Sequence, residues 1–208
     1  MNSLKKFDTD LLSRKFKLIA GTDEAGRGPI AGPVVAASVM FAGNSFHQDI
    51  NDSKQVNEKT REILFDWIME NCLCFGIGII EHDEIDKINI LQASLKAMKI
   101  AVDQLDPKPD LILIDGNKSF HSEITTKTII KGDTKSFSIA AASIIAKVTR
   151  DRIMKKISSE YPEYLWHKNK GYPTQEHIEA VRKYGATIFH RKTFLSRILI
   201  KEYQNKLF

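Results

Sequence analysis

The stretch that most restricts the fold is Asp110-Leu111-Ile112-Leu113-Ile114-Asp115, four aliphatic residues between two carboxylates. A run this short, with no alternation of polar and apolar positions, reads as a strand buried on both faces in the middle of a sheet. Helices must then cover both sides. The rest of the chain supplies the parts. Residues 16–23 and 32–41 read as strands joined by a Gly/Pro-rich turn, 73–80 as a third strand, and 124–130 as another that runs into Lys131-Gly132-Asp133. Apolar spacing predicts helices over 58–71, 83–105 (stopped by Pro107 and Pro109) and 137–159. From Tyr161 onward the chain reads as helical and polar, with helices over 174–184 and from 193 to about 204. The early strands predict an antiparallel meander and the later ones parallel additions. The expected architecture is α/β: a mixed central sheet of about five strands flanked by helices, with a helical C-terminal lobe from about residue 160. A length of 208 residues suffices for one sizeable core, so a single domain over 1–208 is expected.

Four carboxylates share a position type. Asp23, Glu24, Asp115 and Asp133 all fall at the ends of predicted strands. In open α/β sheets, ligands collect at such ends. Four carboxylates gathered there would repel one another unless cations neutralise them. Two Mg²⁺ or Mn²⁺ ions about 4 Å apart would do so, and would clamp the attacking and leaving oxygens of a phosphoryl displacement. Asp23 and Glu24 are neighbours, so strand alternation sends them to opposite faces, and Glu24 is expected where the strand breaks into the turn. Gly26-Arg27-Gly28 follows at once. Its glycines let backbone approach a phosphate or sugar, and its arginine adds positive charge. Aspartates commonly end strands and start turns, and a single one is more often structural than catalytic; the recurrence at three strand ends argues for function.

The bulk numbers fit this without demanding it. Basic residues outnumber acidic ones 31 to 26, a net charge of +5, which is compatible with a polyanionic partner. No apolar run reaches membrane-spanning length. Residues 1–17 mix Lys, Asp and Arg through their apolar positions, unlike a signal peptide, so a cytoplasmic location is expected. Cys72 and Cys74 would share one face of a strand, as two small core residues in a reducing compartment.

Longer blocks carry a resemblance. Residues 23–34, Asp-Glu-Ala-Gly-Arg-Gly-Pro-Ile-Ala-Gly-Pro-Val, resemble the signature of the ribonuclease HII family. So do Asn51-Asp52-Ser53-Lys54, Leu113-Ile114-Asp115-Gly116-Asn117, Lys131-Gly132-Asp133 and the run from Ser138 to Asp151. Lys170-Gly171-Tyr172-Pro173-Thr174 with His177, and His190-Arg191-Lys192-Thr193-Phe194, complete a collinear match from about Ile19 to Phe194. One departure is Gln55-Val56 after Ser53-Lys54, where the family often has Lys-Leu.

The resemblance implies a ribonuclease H-like fold and metal-dependent hydrolysis of RNA joined to DNA. The expected substrates are RNA–DNA hybrids and duplex DNA carrying single ribonucleotides, cut 5′ of the ribonucleotide to leave 3′-hydroxyl and 5′-phosphate ends. The family's metal-binding acids fall on Asp23, Glu24, Asp115 and Asp133, with Mg²⁺ or Mn²⁺ as cofactor. Gly26, Arg27, Gly28 and Tyr172 would recognise the ribonucleotide through its 2′-hydroxyl, the group that separates RNA from DNA. Lys54, Ser143 and Lys147 would contact phosphates, the last two lying four apart on one helix face. Arg150, Arg152, Lys155 and Lys156 either extend a basic track or form a solvated helix end. His177, His190 and Arg191 are expected to brace the C-terminal lobe. The tail, Gln204-Asn205-Lys206-Leu207-Phe208, is similar to short peptides that dock on the bacterial sliding clamp, with Gln204, Leu207 and Phe208 as anchors; the alternative is the end of an amphipathic helix packed on the body. A monomer is the simplest expectation. The competing readings are a non-catalytic RNA/DNA-hybrid binding protein on the same fold, ribonuclease HIII-like specificity, and a phosphate-loop nucleotide binder, which lacks the Gly-Lys-Ser/Thr ending such a loop needs.

Overall fold

Five strands form one sheet in the order β3-β2-β1-β4-β5. The computed structural model describes residues 2–14, 16–43, 45–51, 53 and 56–196. Strands β1 (Ile19–Ala25), β2 (Val34–Met40) and β3 (Cys74–Ile80) pair antiparallel as a meander. Strands β4 (Leu111–Asp115) and β5 (Thr125–Ile129) add in parallel beside β1. The aliphatic run that restricts the fold lies in β4, where Leu111 to Ile114 are buried.

Helices cover both faces. The 22-residue α5 (Phe137–Ser158) crosses β1 and β2 on one side, and α4 (Ile90–Asp103) packs on β2 and β3 on the other. Helix α5 approaches so closely that a Cβ on Gly21 would overlap the Ser138 carbonyl carbon and the Ile139 amide nitrogen. Ser136 caps α5 by accepting from the Ile139 amide at 3.3 Å, a contact type that contributes about 1 kcal/mol. A second clasp comes from α1 (Ser3–Arg14): the buried Asp8 accepts from the Ser138 amide at 2.9 Å and from its hydroxyl at 2.8 Å. No helix was expected over those N-terminal residues.

Helix α2 (Glu58–Asn71) matches its expected span, with Asn57 as its N-cap. The expected helix over 83–105 is instead two, α3 (His82–Ile88) and α4, divided at Asn89. Asn89 sits at φ 66°, which a continuing helix cannot adopt, and its side chain accepts from the Leu91 and Gln92 amides to start α4 afresh. The shared strand face expected for Cys72 and Cys74 does not form. The Cys72 amide bonds Ile68 to close α2, and β3 begins only at Cys74; both are half-buried free thiols.

The region after α5 is less polar than expected. Short helices, α6 (Trp166–Asn169) and α7 (Gln175–Tyr184), surround an aromatic cluster in which the Tyr164 and Trp166 rings stack at 5.2 Å. Among the described residues, no helix is long and apolar enough to cross a membrane.

Candidate active site

The parallel pairing of β1 and β4 aligns Thr22 with Ile114, so Asp23 and Asp115 stand side by side one residue further along. This is the place where the sheet order reverses direction, the usual ligand crevice of an open sheet. Glu24 remains within β1, paired with Ala36, rather than at a break into the turn. The alternation is thereby kept. Asp23 faces α5, where the Ser143 hydroxyl reaches it, while Glu24 shares a small recess with Ser94 and Met98 of α4. Both carboxylates still reach one cavity of about 450 Å³ at the strand ends.

That cavity gathers most of the sequence-derived site. Asp23, Glu24, Asp115, Gly26, Arg27, Gly28, Ser143, Lys147 and Tyr172 all line it, joined by Ser53 and Arg150. Asp133 is buried in a short turn, Gly132–Thr134, beyond the end of β5 and outside this lining. It is coupled to the site through its neighbour: the Gly132 amide donates to Asp115 Oδ1 at 2.6 Å. Lys54, Gln204, Leu207 and Phe208 lie outside the described residues.

The electrostatics are those of crowded acids. Burial, then the charges of Glu24 and Asp115, push the Asp23 carboxyl well above the usual carboxylate range. The Glu24 amide donates to Asp23 Oδ1 at 2.7 Å, which offsets only part of this. Burial also raises Glu24, opposed by Arg27, whose Nη1 donates to Glu24 Oε1 at 3.1 Å. Among the described residues, no three carboxylate, imidazole or thiol groups are already gathered to hold a metal ion. The donor chemistry nevertheless fits one. Buried, mutually repelling carboxylates offering only oxygen are what a hard divalent cation neutralises.

The Gly-Arg-Gly turn lines the same cavity, with Arg27 paired to Glu24. Gly26 adopts φ 100°, a conformation that favours glycine. Gly28 faces the Tyr172 ring so closely that a Cβ would lie 3.3 Å from its Cε1. Tyr172 is 43% exposed at the cavity mouth. Ser143 Oγ is 2.7 Å from Ser53 Oγ, which ties Ser53 to α5. Lys147 is half-buried and donates to Asp151 Oδ1 at 2.7 Å.

Two arginines play parts the sequence did not disclose. Arg150 is not on a basic track: it is buried, and burial lowers its pKa to about 10. The spacing of Ser143, Lys147 and Arg150 along one helix face was the available signal. Arg191 braces more than the C-terminal lobe. Its guanidinium donates to the carbonyls of Gly26, Arg27, Pro29, Gly32 and Pro33 at 2.8–3.3 Å. His177 and His190 are buried among the aromatic rings, as braces of the lobe.

Comparison with known proteins accords with this geometry. A family profile described as Ribonuclease HII matches residues 20–197. The chain belongs to the ribonuclease HII family. It is 50% identical to the ribonuclease HII of Acetivibrio thermocellus over 194 residues, covering 93% of this chain and 76% of that one. The ribonuclease H2 structure from Pyrococcus horikoshii superposes with a TM-score of 0.73 at 29% identity, covering 91% of this chain and 99% of that one. An Archaeoglobus fulgidus ribonuclease HII, solved in complex with PCNA, shares the fold at TM-score 0.70 and 23% identity, over 84% of this chain and 94% of that one. Family membership carries ribonuclease H activity, the endonucleolytic hydrolysis of RNA paired with DNA, and the family in general depends on divalent metal.

Proposed function

We propose that this chain is a metal-assisted endoribonuclease that hydrolyses the RNA strand of RNA–DNA hybrids and cuts 5′ of single ribonucleotides in duplex DNA, leaving 3′-hydroxyl and 5′-phosphate ends. Its role would be ribonucleotide removal and primer processing in the cytoplasm, as a monomer. One observation carries the reading: three carboxylates from β1 and β4, the Gly26-Arg27-Gly28 turn and Tyr172 all line a single cavity. Asp23, Glu24, Asp115 and, from the adjoining turn, Asp133 would hold Mg²⁺ or Mn²⁺, two ions per site. Bound there, such ions neutralise charge on phosphoryl oxygens and lower the pKa of a water.

The chain's own groups do the positioning. The glycine backbone admits a ribose edge, and a 2′-hydroxyl both donates and accepts there. Tyr172 supplies a ring against the sugar and a hydroxyl beside it. Ser143, Lys147 and Lys54 serve the flanking phosphates, where a lysine acts as a mobile point charge. Arg27 shields Glu24 and keeps positive charge where the polyanion enters. The tail, with Gln204, Leu207 and Phe208 as anchors, would dock on a sliding clamp; the PCNA complex of the Archaeoglobus relative supports this part.

The test is cleavage of a DNA duplex holding one ribonucleotide, with Mg²⁺ or Mn²⁺ and with EDTA, beside an all-DNA duplex. A metal-dependent cut 5′ of the ribonucleotide, absent from all-DNA, is expected. Tight binding with no cut under any metal would overturn the catalytic reading in favour of a hybrid-binding protein.

A further inference from the structure

The two sides of the proposed ribose sensor come from distant parts of the chain, Gly26–Gly28 after β1 and Tyr172 after α6. Something must set the gap between them. Among the described residues, one backbone hydrogen bond joins them directly, from the Ile30 amide to the Gly171 carbonyl at 2.9 Å. A second hydrogen-bonded tie is Arg150. Its Nε donates to the Pro33 carbonyl at 2.8 Å and its Nη2 to the Ala31 carbonyl at 3.1 Å, both on the glycine-loop side. Its Nη1 donates to the Lys170 carbonyl at 2.9 Å, two residues before Tyr172. The planar guanidinium thus spans both sides at once. Its stem fills the space beside Gly26, where a Cβ would overlap Arg150 Nε and Cδ. Arg191 differs in kind: all of its carbonyl partners lie between Gly26 and Pro33, so it shapes one side alone.

We infer that Arg150 is a positioning residue for ribonucleotide recognition: by bridging the glycine loop to the Tyr172 turn, it fixes the width of the slot that admits a 2′-hydroxyl-bearing sugar. This rests on the proposed reading of that slot. Arg150 is buried and acts through Gly26–Gly28 and Tyr172. Lysine cannot replace it, because one ammonium presents its donors from a single point and cannot reach three carbonyls spread around a plane. Loss of the bridge widens the slot without removing Tyr172 or the glycines. Discrimination between ribose and deoxyribose then falls, while sequence-independent attraction to the phosphate backbone persists.

The experiment measures binding in EDTA, so that no turnover intervenes. Fluorescence anisotropy gives Kd for a DNA duplex with one ribonucleotide and for the same duplex in all-DNA form. The protein is compared with Arg150→Lys and with Arg150→Gln, which keeps two N–H donors without charge; thermal melting of all three is recorded. The expected result is a preference for the ribonucleotide duplex that drops at least fivefold in both variants, with affinity for the all-DNA duplex within twofold. Two results overturn the inference: an unchanged preference, or equal losses on both duplexes in whichever variant remains folded. Absence of any preference in the unmodified protein would instead overturn the slot reading itself.

Discussion

Stability should fall on acidification through His190, by an amount the structure allows to be worked out. Trp166 Nε1 donates to His177 Nε2 at 2.9 Å, so that nitrogen carries no proton, and His177 Nδ1–H must donate to the Tyr172 carbonyl at 2.9 Å. The Thr187 amide donates to His190 Nδ1 at 2.9 Å, which leaves His190 Nε2–H to share the single lone pair of His177 Nε2 with Trp166, at 3.1 Å. Both rings are therefore neutral, and charging His190 would put a cation into a buried aromatic cluster. Burial first, and then the proximity of His177, lowers the His190 pKa from 6.5 to about 4. A depressed histidine leaves the unfolded chain holding more protons between these two values, so stability rises with pH across that window. The contribution is complete above about pH 6.5 and declines as pH falls toward 4. At about 1.4 kcal/mol per unit, the full titration amounts to roughly 3 kcal/mol, of which about 2 kcal/mol is lost between pH 7 and pH 5. Asp8, Asp23 and Glu24, all raised by burial, act in the opposite direction. The assay must therefore be differential. Urea unfolding of the protein and of His190→Gln is measured at pH 7, 6 and 5, and the carboxylates cancel in the difference. The variant should be less stable at pH 7, and the gap should narrow by about 2 kcal/mol at pH 5. Parallel stability curves would refute the buried neutral network.

Other outcomes follow from the same geometry. Gly21→Ala should destabilise by about 3 kcal/mol in chemical denaturation, because the new Cβ meets immovable α5 backbone; a loss below about 1 kcal/mol would show that α5 can shift. Asp115→Asn should reduce single-turnover cleavage about a thousandfold while binding of the ribonucleotide duplex in EDTA persists, and undiminished cleavage would remove Asp115 from the chemistry. Deleting residues 204–208 should abolish capture by an immobilised sliding clamp and leave hydrolysis of a short duplex unchanged; retained capture would sink the docking role of the tail.

Much was legible in the sequence because it rests on local pattern. The four-residue aliphatic run reads as a strand buried on both faces, and its four residues lie buried in β4. The span of α2 follows from its periodicity and its Asn57 cap, both contained within a few residues. Asp23, Glu24 and Asp115 could be grouped by their position at strand ends, since parallel strands bring like ends together. The break at Asn89 was hidden because the apolar spacing continues across it, and only the backbone conformation reveals it. The N-terminal helix acquires its meaning from contact with Ser138, 130 residues away.

What the sequence determined alone was the α/β alternation, the carboxylates at strand ends and the glycine turn beside them, because each is written in neighbouring residues. What only the tertiary structure decided was the enclosure of that turn. Arg150 and Arg191 read as surface charge or lobe bracing in a linear chain, yet both are buried beneath the loop that faces Tyr172. The physical reason is that a carbonyl accepts from any donor the fold brings near. Which distant guanidinium satisfies it depends on how α5 and the C-terminal lobe close over the sheet, and no local pattern encodes that closure.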